Sequence, residues 1–163
     1  MVKSTELAAV IMFAFNLAAC ASCLFTTGWF VYTKDGIYHQ KGLFLSCLDG
    51  SCNIDIVSQT VVANVTLGLM SVSCLGMLLG LAWLLVGIVH EKRQIVKIGS
   101  AVYILAGIGS FAAVMVYTGQ TLISKSSPPP FGYSYALGWV AGIGGIVSGT
   151  VGLLASKKTY DVI

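Results

Sequence analysis

The sequence is short of charge. Asp, Glu, Lys and Arg make up 9% of its 163 residues, where a soluble domain carries roughly 25%. A water-facing surface cannot be built from so few charges, so lipid must cover much of what this chain exposes. The net charge of +3 is small and dispersed, which excludes the basic footprint of nucleic-acid binding. Histidine occurs only as His39 and His90, and the two are expected on opposite sides of a membrane. Hydrolase serine motifs, phosphate-binding glycine loops and H-E-x-x-H are missing. The chain therefore reads as a non-enzyme, with no cofactor and no metal site.

What the chain has in abundance is apolar sequence, 56% of all residues. Four uncharged apolar stretches stand out, at about Leu7–Phe25, Val61–Val89, Ile98–Tyr117 and Tyr133–Ala155. Each reaches the ~20 residues needed to cross ~30 Å of hydrocarbon. In lipid the backbone must satisfy its own hydrogen bonds, so these are helices. No alternation of period two supports strands. The fold class is an all-α membrane protein, one four-helix domain over residues 1–163, with outer loops at about 26–60 and 118–132. The second stretch would extend ~44 Å as a helix. Its inner end is pinned by His90-Glu91-Lys92-Arg93, so the surplus is expected at the outer end, around Val61 to Leu67. The first stretch is long for the apolar region of a signal peptide and reads as a retained span.

Lys and Arg in short loops set orientation. Lys3, Lys92, Arg93, Lys97, Lys157 and Lys158 share one side; Lys34, Lys41 and Lys125 share the other. Six against three favours cytoplasmic N and C termini in a multi-pass protein of the plasma membrane. Cysteine usage points the same way. Cys47 and Cys52 flank Leu48-Asp49-Gly50-Ser51 in the first outer loop. Asp-Gly signals a two-residue type I′ hairpin. With Asp49 and Gly50 at the turn centre, Leu48 and Ser51 pair first and Cys47 faces Cys52. Their Cα atoms would then lie ~4.5–5.5 Å apart, within disulfide range. Such a bond requires an oxidising face. A metal site there would need four ligands, and His39 is the only further candidate nearby. Cys20-Ala21-Ser22-Cys23 has redox spacing, but within a lipid-embedded helix it reads as small-residue packing.

The first outer loop opens with the aromatic run Trp29-Phe30-Val31-Tyr32, suited to the membrane interface. Lys34-Asp35-Gly36 is a turn signal. A small antiparallel sheet lying over the helix ends is expected. The second loop holds Pro128-Pro129-Pro130, a stiff turn on a side where a polyproline ligand would meet no cytosolic reader. Asn64-Val65-Thr66 matches the glycan acceptor pattern, close to the membrane. The tail Asp161-Val162-Ile163 ends in an apolar residue and is a candidate ligand for a PDZ scaffold. Lys157 and Lys158 suit anionic lipid.

Helices two and four carry small residues at spacings that share a face, Gly76 and Gly80 in one and Gly138, Gly142, Gly145, Gly149 and Gly152 in the other. Internal bundle packing is the favoured reading over self-association. No acidic or basic residue lies inside the four stretches, which argues against coupled transport. Asn16 is the strongly polar side chain deep in helix one, and an interhelical hydrogen bond is expected of it.

Trp29, then Gly42-Leu43-Phe44, then Cys47 and Cys52 resemble the signature W…G-L-W…C…C of the claudin, peripheral myelin protein and epithelial membrane protein superfamily. The run Tyr38–Phe44, the four-residue cysteine spacer, Asn64-Val65-Thr66, Val116-Tyr117-Thr118-Gly119 and Ser134–Val140 look like the lens fibre membrane intrinsic protein. The spacer is shared with claudin-domain-containing proteins. Two departures are visible: Phe44 stands where the family usually has Trp, and the inner end of helix two lacks the paired cysteines that many claudins palmitoylate. The resemblance implies a left-handed four-helix bundle capped by an extracellular β-sheet. It also implies one of two roles. The first is a cell–cell contact or membrane-organising protein, self-associating in cis or trans, as at cell junctions. The second is an auxiliary subunit that modulates the gating or trafficking of an ion channel or receptor.

Overall fold

The computed structural model describes residues 4–34, 37–48, 50–54, 61–124 and 131–160. Along the chain these form α1 (Ser4–Phe25), β1 (Phe30–Lys34), β2 (Ile37–Lys41), β3 (Leu45–Leu48), β4 (Ser51–Ile54), α2 (Val61–Val89), α3 (Arg93–Ser124) and α4 (Tyr133–Tyr160). All four helices are long and apolar enough to cross a bilayer. The strands pair antiparallel in the order β1-β2-β3-β4. The expected sheet between the first two helices is therefore present.

The helix ends differ from the hydropathy boundaries. α3 was expected over Ile98–Tyr117 and spans Arg93–Ser124, so residues 118–124 belong to a helix rather than to the second outer loop. Hydropathy marks where lipid contact stops, whereas a helix continues until something breaks it. Residues 118–124 contain no proline, and Thr118 and Thr121 return their hydroxyls to the carbonyls of Val114 and Tyr117 at 2.7 and 2.6 Å. For the same reason Glu6, Arg93 and Lys97 stand on end turns of helices outside the uncharged stretches.

The α2–α3 connection is tight. Glu91 adopts φ 52°, the left-handed conformation that commonly ends a helix. Lys92 N–H then reaches the Gly87 carbonyl at 2.9 Å and Glu91 N–H the Ile88 carbonyl at 3.2 Å. These bonds satisfy carbonyls that a helix end otherwise orphans.

The bundle closes as a ring. α3 packs most extensively against α2 and α4, and α1 completes the circuit against both. The glycine faces serve this packing. A Cβ on Gly142 would sit 2.9 Å from Phe111 Cα, and one on Gly145 would sit 3.0 Å from Gly107 Cα. The glycines are thus used inside the bundle, as anticipated. Asn16 makes the expected interhelical bond: its Nδ2 donates to Ser148 Oγ on α4 at 2.6 Å and to the Met12 carbonyl at 2.8 Å. Ser148 in turn donates to the Gly144 carbonyl at 2.6 Å. Nearby, Tyr103 donates to the Phe13 carbonyl at 2.5 Å, with the two rings 3.9 Å apart. The interior divides into two apolar clusters. One centres on Phe13, Met77, Leu84 and Tyr103; the other, at the sheet end, on Cys23, Met70, Trp29, Leu43 and Val114.

Candidate functional site

Trp29 and Leu43 belong to the sheet segment in sequence, yet both are buried in the bundle's end cluster. They act as two plugs. Trp29 directly precedes β1, and Leu43 sits in the connection between β2 and β3. Trp29 Nε1 donates to the Cys23 carbonyl at 2.7 Å. The indole meets Tyr117 of α3 edge-on with centroids 4.8 Å apart, and Tyr135 of α4 at 6.1 Å. Such edge-to-face contacts add to the burial of area. Tyr135 stacks on Phe131 at 4.2 Å and is hydrogen-bonded to Thr118 at 2.8 Å. Because Thr118 gives its only proton to Val114, Tyr135 must be the donor of that bond. Helices three and four are thus tied to the root of the sheet.

Gly42 allows the second plug to approach. A Cβ there would lie 2.5 Å from the Thr26 carbonyl, so a side chain would push the β2–β3 connection off the end of α1. Gly42 N–H donates to the Leu45 carbonyl at 2.8 Å, which folds Leu43 inward. Phe44 stacks on Phe25 with centroids 5.7 Å apart. A ring at this position therefore rests on the last turn of α1.

The chain preceding α4 is stitched to the start of β1. Phe131 bridges Phe30, Gly132 N–H donates to the Trp29 carbonyl at 3.3 Å, and Ser134 N–H donates to the Gly28 carbonyl at 3.1 Å. Thr26 gives its proton to the Ser22 carbonyl, so Ser134 donates to Thr26, at 2.6 Å. These bonds fix both outer segments to one another at the helix ends.

The cysteine hairpin has the register anticipated from Asp-Gly. Leu48 pairs with Ser51 and Cys47 with Cys52. Cys47 and Cys52 form a disulfide with Cα atoms 4.0 Å apart, somewhat closer than the expected spacing. Gly50 has φ 84°, as a type I′ turn demands at that position; Asp49 lies outside the described residues. Asp35 and Gly36 of the first expected turn also lie outside them, but β1 and β2 on either side pair as a hairpin. Cys20, Cys23 and Cys74 are free thiols within the bundle. Among the described residues no cluster suited to a metal ion is present.

Alternation sorts the sheet into two faces. One carries Phe30, Tyr32, His39, Lys41 and Leu48; Tyr32 and His39 stack in parallel at 4.7 Å. The other carries Val31, Gln40, Cys47 and Cys52 and turns toward the helix ends. There Gln40 accepts from Thr27 Oγ1 at 2.7 Å, and a cleft of ≈ 360 Å³ remains between Gln40, the disulfide, Phe25 and Tyr133. Among the described residues β4 forms the edge of the sheet, and each of its residues is exposed. His90 lies at the opposite end of the bundle, in the α2–α3 connection.

Asn64 is exposed on the first turns of α2, whereas Thr66 of the same acceptor triplet is wholly buried. Asp161, Val162 and Ile163 lie outside the described residues. Sequence reading missed Tyr117, Tyr135, Ser134 and Gln40 as parts of the anchor. A signal existed for all four, since Gln40 lies in the family-like run Tyr38–Phe44, and Tyr117, Ser134 and Tyr135 lie in the family-like strings at the outer ends of the third and fourth stretches.

Four spans and a disulfide-pinned sheet plugged into their end define a tetraspan membrane protein. The chain belongs to the PMP-22/EMP/MP20/Claudin family, whose family model matches residues 3–152. A comparison with curated proteins finds no match. The family is a non-enzymatic membrane family.

Proposed function

We propose that this chain is a non-enzymatic contact or membrane-organising protein of the plasma membrane that works through its disulfide-pinned sheet, held outside the cell. The observation that carries this reading is the fixed presentation of the sheet. Trp29 and Leu43 lock its root into the bundle, while Tyr32 and Leu48 are 38% and 49% exposed on the far side. Exposed apolar groups held on a rigid frame suit recognition, because little ordering entropy is lost on binding. Two features support an extracellular sheet with cytoplasmic termini. The disulfide needs an oxidising face, and the Lys and Arg residues divide six to three in favour of the opposite end. Partners on this reading are the lipid bilayer, the same or a related chain in cis or trans, and a PDZ scaffold at Asp161-Val162-Ile163.

The reading is tested by expression in non-adherent cells with a fluorescent tag. Enrichment where two expressing cells touch is expected. A uniform surface distribution, indifferent to neighbours, would overturn it. A second reading, as auxiliary subunit of a channel or receptor, is favoured by α2, the least buried of the four spans. Its outer face, with Leu75, Leu78, Leu79 and Trp83 exposed, offers a broad surface to a larger partner. Recovery of a stoichiometric channel in mild detergent would support that role, and recovery of this chain alone would remove it.

A further inference from the structure

Cys20 and Cys23 stand three residues apart on one face of α1. Cys74 of α2 packs against both apolar clusters, the one that holds Cys20 and the one that holds Cys23. Its most direct interaction is with Cys20, thiol to thiol, as a hydrogen-bonding pair. Cys23 points elsewhere as well, since its sulfur would meet a Cβ on Gly138 of α4 at 3.3 Å. Cys20 is fully buried and Cys74 is half-buried. One thiol of the pair is therefore closed off, and the other is open to what surrounds the bundle.

The position of the pair gives it leverage. Cys20 lies five residues before Phe25, the last residue of α1, or about 7–8 Å below it along the helix. The pair thus sits in the half of the bundle nearest the sheet. α1 leads into β1 and α2 follows β4, so the two helices carry the two ends of the sheet segment. α1 is held to α4 by Asn16 and to α3 by Tyr103. Of the contacts that close the ring, that between α1 and α2 is the least extensive. Two thiols meet at the thinnest seam, beside the root of the sheet.

We propose that Cys20 and Cys74 are a redox pair, which hydrogen peroxide converts to a disulfide joining α1 to α2. Peroxide is small and uncharged, so it can enter the outer leaflet without an ionic partner. Cys74, the accessible thiol, reacts first. Its sulfur attacks one peroxide oxygen, the O–O bond breaks, and the departing hydroxide leaves with the thiol proton as water. Cys74 is then a sulfenic acid, which condenses readily with a neighbouring thiol. The Cys20 sulfur attacks the Cys74 sulfur, the S–O bond breaks, and the hydroxyl leaves with the Cys20 proton as a second water. Two thiols are oxidised and one peroxide is reduced. The bond closes the seam and stiffens the mount of the sheet, whatever its outer face recognises.

The test uses the full chain in phosphatidylcholine nanodiscs, treated with hydrogen peroxide and mapped as peptides without reduction. A linked peptide carrying Cys20 and Cys74 is expected beside the Cys47–Cys52 bond, with two hydrogens lost per chain. Cys20→Ser should leave Cys74 as a sulfenic acid that dimedone traps. Cys74→Ser should abolish the peroxide product, and Cys23→Ser should form the link as the unaltered chain does. Oxidation should slow amide exchange about threefold or more in the outer turns of α1 and α2. Three free thiols after peroxide, a link made through Cys23 instead, a bond between two chains, or exchange rates unmoved by the link would each overturn the proposal.

Discussion

Trp29 Nε1 donates to the Cys23 carbonyl at 2.7 Å, so a residue of the sheet segment caps the helix that precedes it. The last carbonyls of α1 have no helical partner. Ser22 is served by the Thr26 backbone and hydroxyl, and Cys23 by the indole. Trp29→Phe keeps the ring and removes the donor, leaving a buried carbonyl unpaired. The expected cost is about 1–3 kcal/mol, and Trp29→Ala should cost about 3–5 kcal/mol. Thermal unfolding in detergent, followed by tryptophan-independent circular dichroism, checks the order.

The disulfide closes a short loop, so its removal should act locally. Cys47→Ser with Cys52→Ser is expected to lower stability by about 2 kcal/mol on loop-closure grounds. Amide exchange should accelerate in β3 and β4 while the four helices keep their protection. Acceleration throughout the bundle would contradict an anchor built on Trp29 and Leu43.

Asn16 and Gly144 are coupled by space. A Cβ on Gly144 would overlap the Asn16 amide oxygen, so Gly144→Ala should cost about 1–3 kcal/mol through overpacking. Combining it with Asn16→Ala removes the clash, and the double variant should be less destabilised than the sum of the singles. Ser148→Ala should cost less, about 0.6 kcal/mol, because Asn16 keeps its bond to Met12. A double-mutant cycle measures all three.

Glu91 holds a left-handed backbone at φ 52°, which costs a non-glycine residue roughly 1–2 kcal/mol. Glu91→Gly removes that cost and loosens the unfolded chain by about 0.4–1 kcal/mol. A net gain of about 0.5–1 kcal/mol is expected, seen as a higher melting temperature. Glu91→Ala retains the strain and should show no gain.

Asn64 is exposed, but Thr66 of its acceptor triplet is buried within the same helix. A glycan would have to be added before α2 forms. Treatment of the cell-expressed protein with peptide N-glycosidase F is expected to leave its electrophoretic mobility unchanged.

Much of this architecture was legible in the sequence because lipid imposes simple rules. A stretch without charge that must satisfy its own backbone is a helix, and that fixed the number and place of the spans. Asp49-Gly50 between two cysteines specifies a hairpin register through turn chemistry alone. Asn16, isolated among apolar neighbours, announced an interhelical bond though not its partner. The helix ends were not legible at 93–97 and 118–124, because hydropathy records the solvent of a side chain and not the continuity of the backbone.

What only the tertiary structure decided is how the sheet is mounted. Trp29 looked like an interface aromatic and proved to be a buried plug, because its donor has an orphan carbonyl six residues upstream to satisfy. Tyr117, Tyr135 and Ser134 lie far along the chain from Trp29, and they meet it or its neighbours only after α3 and α4 close the ring. Gln40 lies in the family-like run Tyr38–Phe44, but its role arises from Thr27 across the cleft, a pairing that no local pattern encodes. Local chemistry along the chain determined the spans and the hairpin. The close approach of distant segments at the bundle's end determined the anchor and the cleft, because packing joins residues that no sequence period relates.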